Sequence, residues 1–261
     1  MKKLCIKERR FLQPSPTIRN EKKRYVFING DFVPEALASV PITDKGFLFG
    51  EGIFTTAKVC DGIVEHYPMH CQRLHDHCKQ LDIVAPVIEE SLIHTLIEKN
   101  EASDGIWRLK IIITATTLLM TLTPYQPSSS LNVRLGIFSQ PIIHPYAQIK
   151  TLSYLHRIGV MKEAQQRHLD DCIVTSPEGY FLECAFSNIF WENDDGLFTP
   201  DPHLPLMFGI TMKVLVETTQ KHVYYVKATL DDIPADAHVY ITGSLKGIVP
   251  VKSIENRNFA Y

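Results

Sequence analysis

Residues 181–191 read FLECAFSNIFW, and the third of them decides how the rest is understood. Glu183 stands among apolar and small residues in a segment that predicts a buried strand. A carboxylate in that setting is costly unless a cation or a hydrogen-bond donor meets it. The acid therefore raises the question of what it faces. Upstream, Lys150 lies in IKTLSYL (149–155), between Ile149 and Thr151-Leu152. A lysine at an apolar position either reaches out to water or is desolvated. A desolvated lysine has a lowered pKa and can condense with a carbonyl.

Three further features belong with these two. Arg73, in HCQRL (70–74), reads either as a surface arginine or as a guanidinium that clamps a phosphate bidentately. Gly209-Ile210-Thr211 precedes a helix expected over Met212–Lys221, and Thr242-Gly243-Ser244 forms a turn after a strand. Each offers backbone N–H groups and a hydroxyl to an anion. One lysine, one buried acid, one arginine and two anion corners make up the inventory needed to hold a phosphorylated, ring-bearing aldehyde. The chain has no P-loop, dinucleotide fingerprint, HExxH or G-x-S-x-G.

Composition sets the outer bounds. The 261 residues are 45% hydrophobic and 21% charged, which suits a globular protein of one or two domains. Twenty-seven basic and twenty-nine acidic residues give a net charge of -2, so no global field draws in nucleic acid. The longest apolar runs fall far short of a membrane span, which takes about 20 residues, and the basic start has no apolar stretch behind it to make a secretory signal. Six cysteines without a paired framework read as reduced thiols. The expectation is a cytoplasmic protein with no membrane or nucleic-acid partner.

The element order predicts an α+β fold. Tyr25–Ile28 and Phe32-Val33 form a hairpin around Asn29-Gly30, whose central residues take positive φ. Phe54–Cys60 and Ile63–His66 form another around Asp61-Gly62. Helices are expected from Pro68 and over Glu89–Asn100, and Ile106–Thr114 reads as a buried strand. Leu131–Ser139 is a further strand. A helix over Ile158–His168 precedes strands at Asp171–Ser176, Tyr180–Cys184, Ser187–Glu192, Gly196–Thr199, Val223–Ala228 and His238–Thr242. The expected division is a basic extension over 1–24, a smaller α/β domain over 25–140, a linker over 141–147 and a larger domain over 148–261. Cys71, His75 and Cys78 share one helix face, but no second cluster completes a zinc site, and no metal is expected.

The ordered motifs FINGDFVP (27–34), DKGFLFGEGIFTTAKV (44–59), HCQRL, IKTLSYL, FLECAFSNIFW, GIT and TGSLKGIVPV (242–251) resemble the fold-type IV pyridoxal-phosphate enzymes. That group comprises branched-chain and D-amino-acid aminotransferases and aminodeoxychorismate lyases. The resemblance covers about residues 25–251. It implies two domains with pyridoxal 5′-phosphate in the cleft between them, a small amino substrate and a homodimer. It also implies roles. Lys150 would carry the cofactor as a Schiff base and then move the substrate proton. Glu183 would pair with the pyridine nitrogen, and Arg73, Ile210 and Thr211 would bind the phosphate. Thr242 and Ser244 flank the second phosphate corner, and Ser187 and Asn188 lie near the cofactor. Tyr154 would reach the ring hydroxyl or the substrate, and Phe54 and Lys58 would line the substrate pocket.

Within the group, FTTAKV and ECAFSNIFW look closer to the lyases, which convert 4-amino-4-deoxychorismate to 4-aminobenzoate and pyruvate. Where relatives carry an Arg-Gly segment against the substrate carboxylate, this chain reads ATTLLMTLTPYQP (115–127), and Lys58 or Arg108 is expected to replace it. The alternatives are an aminotransferase on D- or branched-chain amino acids, and a non-catalytic or zinc-binding relative.

Overall fold

The computed structural model describes residues 23–127, 133–142 and 144–259. In chain order the strands of the first half are β1 (Tyr25–Ile28), β2 (Asp31–Pro34), β3 (Ile53–Cys60), β4 (Ile63–Val64), β5 (Ile106–Ile113) and β6 (Leu118–Pro124). Its helices are α1 (Lys45–Phe49), α2 (Tyr67–Gln80) and α3 (Glu90–Lys99). The second half holds β7 (Val133–Ile137), α4 (Leu155–Gln166), β8 (Asp171–Thr175), β9 (Phe181–Cys184), β10 (Asn188–Glu192) and β11 (Leu197–Pro200). It continues with α5 (Ile210–Thr218), β12 (Val223–Val226), β13 (His238–Gly243), β14 (Gly247–Ile254) and β15 (Arg257–Asn258).

Two sheets organise these elements. The first runs β2-β1-β6-β5-β3-β4. Its hairpins form where Asn29-Gly30 and Asp61-Gly62 take positive φ, as expected of both pairs. Alternation along β5 sends Leu109, Ile111 and Ile113 into the core beneath α2 and α3, where they meet Leu74, Ile93 and Leu96. The same alternation turns Arg108 and Lys110 to the other face. Ile106–Ile113 is thus half-buried, although its run of branched residues reads as wholly buried.

The second sheet runs β12-β11-β10-β13-β14-β7-β8-β9, with β15 on β14. It curls until the end of β9 returns to β10, where the Cys184 N–H donates to the Ser187 carbonyl at 2.8 Å. Leu135, Ile173, Phe181, Ile189 and Ile241 fill one side, and α4 covers another through Val160 and Ala164.

Several expectations need correction. The strand β7 belongs to the second sheet, between β14 and β8, so the chain changes sheets before Val133 and not at 141–147. Residues 1–22 of the expected basic extension, and 131–132 of the expected strand, lie outside the described residues. Helix α4 begins at Leu155, three residues before the expected start, because the chain turns helical directly after Tyr154. Helix α5 likewise starts at Ile210 and ends at Thr218.

Three elements were not foreseen, the short β15 among them. Strand β6 pairs along the whole of β5. Helix α1 is capped by Asp44, which accepts from the Phe47 N–H at 3.2 Å. Asp44 also accepts from the hydroxyls of Thr114, Thr116 and Thr117 at 2.6, 2.6 and 2.7 Å. Burial opposes its charge, but these three hydroxyls hold its carboxyl down to about 2. The turn between β5 and β6 is thus fastened to the start of α1. No helix among the described residues is long and apolar enough to cross a membrane.

Candidate active site

Lys150 is brought to the first sheet by backbone pairing. Beyond the short β4, the outer edge of β3 is open. There the Phe54 N–H donates to the Lys150 carbonyl at 3.0 Å, and the Leu152 N–H to the Gly52 carbonyl at 2.8 Å. A cavity of about 490 Å³ opens beside this crossing, between the two sheets. Phe54, Thr56, Arg108, Lys110 and Tyr125 line it from the first sheet side. Glu183, Ser187, Asn188, Thr242 and Ser244 line it from the second. Arg73 of α2 and the segment Gly209–Thr211 close one end, and Lys150 and Tyr154 stand at the wall.

Lys150 Nζ donates to the Tyr154 hydroxyl at 3.1 Å and sits over the Phe54 ring, 4.8 Å from its centroid. Burial pushes the amine down to about 7, and the Arg73 cation adds to the shift. A lysine with that pKa is substantially neutral and nucleophilic near neutrality. Burial raises the Tyr154 phenol to about 12, so it stays protonated.

Glu183 is 4% exposed and is met by a guanidinium that the sequence did not announce, that of Arg157 in the first turns of α4. Burial pushes the Glu183 carboxyl up, and Arg157 opposes that shift. The ring expected to face Glu183 would lie on its other, cavity side.

Helix α2 serves the site twice. His70, Arg73 and His77 fall on one face. Arg73 Nη2 donates to Thr55 Oγ1 at 2.5 Å, which leaves the Thr55 hydroxyl to donate to His70 Nδ1 at 2.6 Å. Burial and the Arg73 charge lower His70 to about 3, so the ring stays neutral and accepts that proton. One turn further on, His77 Nδ1 accepts from the backbone N–H of Lys150 at 3.1 Å. Burial lowers this ring to about 4.

Three buried polar atoms among the described residues have no partner: Arg73 Nε, Ser187 Oγ and Thr242 Oγ1. All three belong to residues that line this one cavity. Buried donors of this kind are costly unless a ligand completes them. The first turn of α5, which has no side-chain cap, points its free N–H groups into the same end. Gly209 is needed there, because a Cβ would sit 2.5 Å from Asn188 Oδ1. Asn188 holds this corner with both ends of its amide: Nδ2 donates to the Met207 carbonyl at 2.9 Å, and Oδ1 accepts from the Gly209 N–H at 2.8 Å. The donor set fits a phosphate at one end of the cavity and a ring nitrogen at Glu183.

A model of the family "Amino-transferase class IV" matches residues 52–254. The chain belongs to the class IV aminotransferase family. Its cofactor is pyridoxal 5′-phosphate, and it is a lyase or aminotransferase that depends on it. A Methanocaldococcus jannaschii protein provisionally named a branched-chain-amino-acid aminotransferase is 26% identical, over 89% of this chain and 88% of that one. The aminodeoxychorismate lyase of Bacillus subtilis is 23% identical, over 90% and 88%. Among solved structures, a Mycobacterium tuberculosis protein described as a hypothetical aminotransferase, in its PLP-bound form, superposes with a TM-score of 0.81. It is 20% identical and covers 90% of this chain and 92% of its own.

Of the site residues expected for a class IV member, the structure leaves one outside the cavity. Lys58 follows Phe54 and Thr56 on the same face of β3, but it lies about 13 Å along the strand from Phe54. Its Nζ is paired with Glu65 at 2.6 Å. It stands directly across from Arg108, which does line the cavity and stacks over Tyr125, 5.5 Å from the ring centroid. The residue that sequence reasoning missed here is Lys110, held over Phe54 at 4.6 Å. Alternation from Arg108 would have found it. Cys71, His75 and Cys78 do not gather into a metal-ligating group among the described residues; Cys78 is in the core and His75 is exposed.

Proposed function

We propose that the chain is a lyase that converts 4-amino-4-deoxychorismate to 4-aminobenzoate, a folate precursor, and pyruvate. The observation that carries this reading is the pair of cations Arg108 and Lys110 on the first-sheet wall. Neither has a carboxylate partner among the described residues, and burial beside Arg108 lowers the Lys110 amine. Two bare cations on this wall suit a substrate with two carboxylates. A branched aliphatic side chain would leave them uncompensated.

The bound cofactor supplies an electron sink for the carbon that carries the substrate amine. The residues of the chain do the rest. Arg73, Ser187, Thr242 and the first turn of α5 hold the phosphate, and Glu183 holds the ring nitrogen. Lys150, whose amine is lowered to about 7 by burial and so is in good part uncharged at neutral pH, takes the proton from the amine-bearing carbon. The C–O bond to the enolpyruvyl group then breaks, its electron pair leaves with the oxygen, and the released enol gains a proton to become pyruvate. Tyr154, protonated and within reach of Nζ, fixes where the lysine amine rests. Arg108 and Lys110 orient the carboxylates.

The test is product analysis of the purified holoenzyme with 4-amino-4-deoxychorismate and no 2-oxo acid. Stoichiometric 4-aminobenzoate and pyruvate are expected; no product would end the reading. The second reading is an aminotransferase, supported by the relatives named for branched-chain amino acids. It requires a 2-oxo acid as co-substrate and yields an amino acid in its place.

We also read the chain as a homodimer. Leu37, Ile42, Phe47 and Phe49 are each at least 70% exposed and lie together in sequence around α1. Such an apolar surface supports burial against a second copy. Sedimentation at micromolar concentration should give twice the chain mass, and a monomer would refute it.

A further inference from the structure

We propose that Arg157 is a positioning residue that keeps Glu183 charged and leaves one of its oxygens free for the ring nitrogen of the cofactor. This rests on the family's cofactor and is independent of whether the reaction is elimination or amino transfer. Arg157 is 6% exposed and does not line the cavity; it lies behind the acid. Its guanidinium is fixed on three sides. Nη2 donates to Glu183 Oε1, Nη1 donates to the Cys184 carbonyl at 3.0 Å, and Nε donates to His156 Nε2 at 3.1 Å. The His156 ring is in turn stacked on His144, with centroids 4.5 Å apart.

The pattern on the carboxylate is asymmetric. Oε1 accepts from both Arg157 and the Met207 N–H, the latter at 2.8 Å, while Oε2 accepts from no described residue. A planar guanidinium locked at three points holds the carboxylate in one orientation. It therefore sets which oxygen is presented to the cavity. It also supplies the positive charge that a buried carboxylate needs in order to stay ionised. The other charged or titratable groups around the pair are Lys150, Tyr154 and Arg73 toward the cavity, with Asp171, the buried Cys184 thiol and the two histidines beside or behind it. None of them donates a hydrogen bond to Glu183.

Without Arg157, Glu183 would be left in a buried site with one backbone donor, and it would take up a proton. A neutral acid does not hold the ring nitrogen cationic. A cationic ring acidifies the Schiff-base nitrogen attached to it, so its loss raises the pH at which the absorbance of bound cofactor changes.

The experiment compares wild type, Arg157→Met, Arg157→Lys, Glu183→Gln and the Arg157→Met/Glu183→Gln double variant, each saturated with pyridoxal 5′-phosphate. The readout is the pH midpoint of the cofactor absorbance change. Arg157→Met should raise the midpoint by about one pH unit or more, to the value of Glu183→Gln. The double variant should go no further, and Arg157→Lys should return most of the way to wild type. In cofactor-free protein, infrared spectra should show a protonated-carboxyl band in Arg157→Met that vanishes in the double variant. An unmoved midpoint in Arg157→Met, or shifts that add in the double variant, would overturn the proposal. Should Arg157→Met fail to fold, the double variant, which removes both charges, still decides. Its midpoint must equal that of Glu183→Gln, and a difference between them would overturn the idea.

Discussion

The second-sheet wall of the cavity and the first-sheet wall handle polarity in opposite ways. On the second, Glu183 and Asn188 are tied to other protein atoms, while Ser187 Oγ and Thr242 Oγ1 are buried bare toward one end. On the first, among the described residues, Arg108 and Lys110 rest on the aromatic faces of Tyr125 and Phe54 without a carboxylate partner. A wall whose donors are fixed in advance suits a group that stays bound. A wall of two cations without carboxylate partners among the described residues suits a group that comes and goes. In the proposed function the difference separates holding the cofactor from choosing the substrate.

If that separation is right, substitutions on the two walls should differ in kind as well as in size. The largest effect belongs to the residue at their junction. Lys150→Ala should abolish the absorbance band of covalently bound cofactor and reduce turnover by about 10⁴-fold or more. In the wild type, the amine protonates below about 7. Uptake of cofactor by cofactor-free protein, followed by stopped-flow absorbance, should therefore slow as pH falls through that value. Glu183→Gln comes next. It should lower kcat by roughly 10²–10³-fold with KM little changed, because it removes an interaction needed for the reacting carbon and leaves the substrate's contacts alone.

Arg73→Gln should weaken cofactor binding by about 10–100-fold, the worth of a charge-assisted hydrogen-bond pair. Equilibrium dialysis measures it, and saturating cofactor should restore turnover. Away from both walls, Asp44→Asn tests the fastening of the β5–β6 turn. The carboxyl of Asp44 sits at about 2 when folded against 3.8 as the reference. Its contribution is present above pH 4 and lost as pH falls through about 2, and it amounts to about 2 kcal/mol. Chemical denaturation should show the variant weaker by that amount at pH 7, with most of the difference gone by about pH 2. The smallest effect should be Lys110→Ala or Arg108→Ala, each raising KM by about 10-fold with kcat nearly intact. A large loss of kcat in either would erase the distinction between the walls.

How much of this was visible in the sequence depends on whether a residue looked out of place. Glu183 and Lys150 did, since a charge inside an apolar segment conflicts with its surroundings, and they led to the cavity directly. Arg157 did not. An arginine in a helix is ordinarily a surface residue, and the helix was expected to begin after it. Its burial arises only because α4 packs on β8 and β9. Lys110 was masked by the isoleucines around it, which made β5 read as buried on both faces when alternation exposes one to the cavity. Lys58 failed for a different reason. Its face was inferred correctly, but Glu65 draws its amine away at 2.6 Å, while Arg108 directly across from it reaches the cavity. Strand β6 escaped because TTLLMTLTP lacks the glycine turn that marks the other hairpins; threonine hydroxyls on Asp44 close it instead.

Helix α2 carries Arg73, the residue we propose to hold the phosphate, and, one turn later, the imidazole that receives the amide of Lys150. It therefore acts as a ruler between the two ends of the cofactor, graduated by the helical rise. A single residue inserted between Arg73 and His77 would swing the imidazole about 100° around the axis while leaving the clamp in place. The length of this short segment is thus as constrained as its composition.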